Sequence, residues 1–179
     1  MILSEQHQMT RDALRDFSQQ QLAPHAAQWD RERRFPKEAL QQLAALGAFG
    51  VAVPEELGGA GLDYLALAIV IEEIAAGDGG TSTIISVNNC PVCSIAMSYA
   101  NPAQQEQWLK PLAAGRMLGA FALTEPHAGS DASALRTTAR RDGDHYVLNG
   151  VKQFITSGKH ADVTIVMAVT DKEAGKRGI

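Results

Sequence analysis

The chain has 179 residues, 45% of them hydrophobic, and a formal net charge of -4; that is enough apolar material to bury a core and too much for a disordered segment. Mixed charges without a basic stripe argue against a nucleic-acid partner, and the longest apolar run, Leu65 to Ile71, is far short of the roughly 20 residues that cross a bilayer. No basic-then-apolar export pattern opens the chain, so no membrane insertion is expected and the expected location is cytoplasmic, or the mitochondrial matrix if the source is eukaryotic.

From the N-terminus to about residue 114 the pattern is helical. Met9, Ala13, Leu14 and Phe17 recur at helical spacing, and a break is expected at Pro24. Pro36 suits the first turn of the next helix, Leu40, Leu43 and Leu46 make its apolar stripe, and Gly47 stops it. "VPEELGGAGLDY" is a loop by its Pro54, Gly58, Gly59 and Gly61; lacking GxGxxG and GxxxxGK, it reads as a helix connection rather than a phosphate cradle. Leu62 to Ala76 is apolar on nearly every face and belongs in the middle of a bundle. "TSTIISVNNCPVCSIAMSYA" reads as one helix, or two joined near Pro91. Its Cys90 and Cys93 have redox-pair spacing, but without a strand-to-helix setting they read as small buried hydrophobes. The histidines at 7, 25, 127, 145 and 160 lack zinc spacing, and no metal site is proposed. "NPAQQEQWLKPLAAG" carries a start signal in Asn101, Pro102 and Gln104 and a stop at Gly115.

Beyond Gly115 the period changes. "MLGAFAL" is a short apolar run, "LRTTARR" and "HYVLNGVKQFI" alternate around DGD and NG turns, and "VTIVMAV" is β-branched. The fold class is therefore α+β: an all-helical domain over residues 1–116, then an antiparallel meander or β-barrel-like domain over residues 117–179. So short a β portion, with "AGKRGI" leading toward a further strand, is expected to be part of a longer polypeptide.

Two strand ends carry the chemistry. "FALTEPHAGSD" runs from an apolar strand into hydroxyls, glycine and exposed backbone, which suits a planar hydrogen-bonding ligand or a phosphate; equally, it is a Ser/Asp turn capping the next element. "VKQFITSGKH" again presents an aromatic, an aliphatic, Thr and small residues, so the two ends could grip the edges of one flat heterocycle. "AGSDA" mimics a nucleophile elbow at Ser130, but Thr124 to Gly129 separate that serine from the strand end, whereas an elbow needs it at the turn itself.

In "FPKEALQQLAALGAFGVAVPEELGGAGLDYLALAIVIEEIA", "NPAQQEQWLKPLAAGRMLGAFALTEPHAGSD" and "YVLNGVKQFITSGKHAD", in that order, the chain resembles the acyl-CoA dehydrogenases. The resemblance implies a helical domain, a middle β-barrel domain and a C-terminal four-helix bundle, with the chain truncated before the bundle. It implies FAD as cofactor, an acyl-CoA substrate, an electron-transfer flavoprotein as electron acceptor, and a homo-tetramer or homo-dimer. It implies that Phe121, Ala122, Leu123 and Thr124 contact the flavin ring, with Phe154, Ile155 and Thr156 beside it. Gly129 and Ser130 would lie at the pyrophosphate, and Ser130 also at the pantetheine arm of the substrate. The proton-abstracting Glu is expected beyond Ile179, so no residue here is named catalytic; Glu125 is expected to order its loop. Phe154 stands where Trp is usual, Phe121 where Tyr or Trp is common, and His127 where Gly is frequent, with strain expected at His127 if its φ must be positive. "STIISVNN" leans toward short- or branched-chain substrates. The alternatives are another flavoenzyme on the same scaffold, an oxidase or monooxygenase, and a non-catalytic interaction module.

Overall fold

A computed structural model gives the fold of residues 3–179, which divides after Gly119 into two units. In the first, α1 (Glu5–Phe17) starts where the Ser4 hydroxyl accepts from the His7 N–H. The expected break at Pro24 does not occur: α1 passes through a π turn, Ser18–Leu22, directly into α2 (Ala23–Glu32). Pro24 lies inside this continuous run, one residue past the π turn, whose wider backbone accommodates the ring and the missing N–H. His25 stacks on Trp29 with ring centroids 5.6 Å apart.

Helix α3 (Lys37–Ala45) follows Pro36, and Gly47 ends it at a φ of 76°. Helix α4 (Tyr64–Gly77), capped by Asp63, is the central element expected of so apolar a segment. Its Ala66, Leu67, Val70 and Ile74 share one core with Leu14, Leu22, Leu40, Leu43, Phe49 and Ile85. Arg15 of α1 forks onto both carboxylate oxygens of the buried Glu73, at 3.0 and 2.6 Å, so this buried acid of α4 is paired.

Asp78 caps α5 (Gly79–Val87), and a kinked π segment, Asn88–Cys93, joins it to α6 (Ser94–Tyr99) across a cis Cys90–Pro91 bond. Both cysteines are free thiols; Cys93 is buried, but Cys90 is exposed, because the kink turns it out of the helix line. The same kink carries two fully engaged asparagines. Asn88 donates to the carbonyls of Phe49 and Leu112 at 2.9 and 3.2 Å and accepts from the Gly119 N–H at 2.9 Å. Asn89 donates to Ala48 and Ile85 and accepts from Val51, all within 2.9 Å. The Asn101–Gln104 capping box forms as read and opens α7 (Pro102–Gln104), which runs through a π turn holding Trp108 into α8 (Lys110–Ala113); Gly115, at a φ of 67°, ends the run.

In the second unit, β1 (Gly119–Ala122) pairs with β4 (Val163–Val166), and β2 (Thr138–Asp142) pairs antiparallel with β3 (His145–Asn149) around Gly143. The described residues thus form two two-stranded sheets rather than a closed barrel. "VKQFI", expected as a strand, is not one. Phe154 takes a left-handed φ of 57°, and Lys152 and Gln153 bond to the 123–125 segment one group at a time instead of joining a ladder. The buried interior of this unit includes Ala120, Ala122, Glu125, Ala128, Leu135, Thr137 and Ala168.

Candidate functional site

Strand β1 is small and apolar because it is buried on most positions; Phe121 is half-buried and Ala122 fully so. The chain leaves the strand at Leu123 and Thr124, both half-buried, and turns tightly at Glu125–Ala128, whose backbones exchange hydrogen bonds of 2.9 and 3.1 Å. Pro126 and His127 form the tip, and His127 is not among the residues with positive φ, so the strain considered for it does not arise. Gly129 and Ser130 are exposed, and Asp131 accepts from the Ser133 hydroxyl at 2.6 Å. The far end of the loop is therefore a Ser/Asp turn, while its near end remains an open backbone edge.

The second loop lies against the first. The Gln153 N–H donates to the Thr124 carbonyl at 3.0 Å, and the Lys152 ammonium donates to the Leu123 carbonyl and to Glu125 Oε1, both at 2.8 Å. Beyond this clasp Phe154 is 87% exposed, Ile155 and Thr156 are half-buried, and Ile155–Gly158 closes a turn through a 3.0 Å backbone bond. Ser157, like Phe154, sits at positive φ, and its buried hydroxyl has no partner among the described residues. Two non-glycine residues of one short loop, Phe154 and Ser157, in this left-handed region mark a backbone held in place by its surroundings.

Glu125 is the electrostatic centre. Only 3% exposed, its carboxylate accepts from the N–H groups of Arg136 and Thr137 at 2.7 and 2.9 Å and from Lys152, with His127 Nε2 3.5 Å away. Burial alone would raise its pKa, but the Lys152 ammonium and the two N–H groups outweigh burial and hold it at about 2. A carboxylate so engaged is a poor proton acceptor and a strong loop anchor.

The residues singled out in the sequence at the two strand ends are thus neighbours, tied at Thr124–Gln153 and Leu123–Lys152. Among the described residues, the N–H groups and hydroxyls of Thr124 and Thr156 have no hydrogen-bond partner. Free neutral donors, an orphaned buried hydroxyl and an uncovered aromatic face form a donor set that suits a flat heterocycle with carbonyl and ring-nitrogen acceptors, so the chemistry of a flavin fits. Lys152 and Gln153 went unread in the sequence because no spacing rule pairs residues 27 apart; the available signal was an acid, Glu125, set beside a buried strand end, which calls for a cation. Among the described residues there is no cluster of three or more side chains able to hold a metal, and no helix is long and apolar enough to cross a membrane.

The family model described as "Acyl-CoA dehydrogenase, N-terminal domain" matches residues 4–116, and that described as "Acyl-CoA dehydrogenase, middle domain" matches residues 120–179. The chain is 46% identical over 177 residues to the mitochondrial short-chain specific acyl-CoA dehydrogenase of Rattus norvegicus, covering 99% of this chain and 43% of that protein. It is 42% identical to the 3-(aryl)acrylate reductase of Clostridium sporogenes, covering 100% of this chain and 48% of the relative. The crystal structure of a glutaryl-CoA dehydrogenase from Mycobacterium smegmatis in complex with FADH2 superposes with a TM-score of 0.89 at 34% identity, over 94% of this chain and 44% of that one. The chain spans less than half the length of these relatives.

Proposed function

Because this chain belongs to the acyl-CoA dehydrogenase family over both its helical and its β portions, we propose that the protein it forms binds FAD and oxidises an acyl-CoA thioester to its α,β-unsaturated product, passing electrons to an electron-transfer flavoprotein. The supporting observation is the pair of clasped loops, with unpartnered donors at Thr124 and Thr156 on either side of the clasp. When bound, FAD supplies the hydride acceptor.

In this reading Phe121, Ala122, Leu123 and Thr124 hold one edge of the ring and Phe154, Ile155 and Thr156 the other. Gly129 leaves the backbone open to the pyrophosphate, and Ser130 offers a hydroxyl to phosphate and to the pantetheine arm. Neutral donors hold an acceptor in place without the cost of burying a charge. Glu125 abstracts no proton, being spent on the clasp, and we place the α-proton base outside residues 1–179. The helical domain is taken to end at residue 116 and the flavin-binding domain to begin at 117. A short acyl chain, a homo-tetramer or homo-dimer, and a cytoplasmic or matrix location belong to the same proposal, the first supported by the name of the rat relative.

The test is anaerobic mixing of the flavin-loaded protein with a panel of acyl-CoA thioesters: the flavin band is expected to bleach with a short-chain member, and no bleaching with any of them sinks the assignment. A second reading, reduction of an α,β-unsaturated acid derivative at the same site, is favoured by the arylacrylate reductase relative. It predicts instead that prereduced protein is reoxidised by an arylacrylate thioester.

A further inference from the structure

Resting on the flavin-site reading above, we propose that Lys152 is a positioning residue that sets the redox balance of the bound ring by polarising the Leu123–Thr124 peptide, whose N–H is a free donor of the first loop among the described residues. The Lys152 ammonium lies 2.8 Å from the Leu123 carbonyl oxygen, and its side chain is 11% exposed. The Leu123 C=O and the Thr124 N–H belong to one planar peptide unit. A cation on the oxygen draws electron density toward it and makes the N–H at the other end a stronger donor, an effect that low exposure preserves.

Orientation is fixed as well as strength. The Thr124 carbonyl is held by the Gln153 N–H at 3.0 Å, so the peptides on both sides of the Thr124 α-carbon are anchored to the second loop. The Thr124 N–H has no acceptor among the described residues, and so it points its enhanced donor strength at whatever occupies the site. A ring that gains electrons becomes the better acceptor, so a stronger donor favours the reduced state over the oxidised one. Glu125, 2.8 Å from the same ammonium, offsets part of its charge. The pair therefore acts as a graded device, and removing one member or the other must move the balance in opposite senses. A clasp that merely held the loops together would lose affinity for both redox states alike, whichever partner was removed.

The experiment has two arms. In the flavin-free chain, two-dimensional NMR follows the Thr124 amide proton, which is expected to move upfield in Lys152→Met and to hold its place in Lys152→Arg and in the exposed control Lys159→Met. In the loaded protein, Lys152→Met is expected to weaken binding of reduced FAD about tenfold more than binding of oxidised FAD, a fall of about 30 mV in the two-electron potential, while Glu125→Gln shifts the ratio the other way. Lys152→Gln, which keeps a donor without the charge, replaces Lys152→Met if the latter does not fold, with the same split expected. Equal losses for both redox states, or shifts of the same sign in the Lys152 and Glu125 variants, overturn the proposal. If the wild-type protein takes up no FAD, the flavin reading itself fails; the amide arm then decides the polarisation alone, and an unmoved Thr124 proton overturns that too.

Discussion

At the scale of single residues, the buried carboxylate of Glu125 and the buried thiol of Cys93 show how surroundings set reactivity. Glu125→Gln leaves the Lys152 ammonium nearly buried without its counter-charge, a change that costs about 3 kcal/mol where a buried pair is broken from one side. Urea unfolding at neutral pH should show that loss, with Glu173→Gln, an exposed acid in the same unit, unchanged. The pH dependence has a definite sign. The folded pKa of about 2 lies below the roughly 4.3 of an unfolded Glu, so the stabilisation is fully present above the unfolded value and is given up as the pH falls toward the folded one. An acid titration of stability should accordingly lose part of its slope between those two values in Glu125→Gln. Burial pushes the Cys93 thiol up to about 12, while Cys90 stands exposed on the kink. A disulfide reagent at pH near 8 should then modify one thiol per native chain, Cys90, and both only after unfolding.

At the scale of elements, the signals that could be read were those written in a few consecutive residues. The Asn101–Gln104 capping box and the stops at Gly47 and Gly115 appear as read, because caps and left-handed stops depend on neighbours within one turn. Pro24 misled, because a π turn ahead of it carries the helix past a residue that ordinarily ends one. "VKQFI" misled because its alternation fits a strand, while its hydrogen bonds go singly to another loop. The two open strand ends of the candidate site were legible as runs of small and hydroxyl residues, but the Lys152 clasp between them was not, being a contact made only in three dimensions. The Asn88–Asn89 pair escaped for the same reason: two polar residues in an apolar helix give no hint that they satisfy backbone groups as far away as Ala48 and Gly119. Asn88→Ala should cost roughly 3 kcal/mol or more, since it strands several buried backbone groups at up to ~1–3 kcal/mol each, whereas Asn101→Ala, removing one exposed cap, should cost about 1 kcal/mol. Denaturant midpoints of the two variants compared side by side check that ordering.

At the scale of the whole chain, the two units hold their structure by different means. The first has a continuous apolar core around α4, with Val70 and Ile74 almost fully enclosed. The second exposes most of its β2–β3 hairpin, Tyr146, Val147 and Leu148 included, and leans on polar contacts at Glu125. Local opening follows buried contact density, so native-state hydrogen exchange should be slowest at the mid-helix amides of α4 and orders of magnitude faster across β2 and β3. Comparable protection in the hairpin and in α4 would contradict that division.

The placement of the indoles gives this division an optical signature. Trp29, stacked on His25, and Trp108, in the turn before α8, are the chain's two tryptophans, and both lie in the helical unit. Intrinsic emission excited at the red edge therefore watches one half of the molecule and is blind to the other, whose sole phenolic reporter is Tyr146. A melt followed by tryptophan emission would record the loss of the helices and stay silent about the loops that matter for the proposed chemistry. Phe154→Trp, at a position already 87% open to solvent, would place a lamp on the second loop, and its colour would report what comes to cover it.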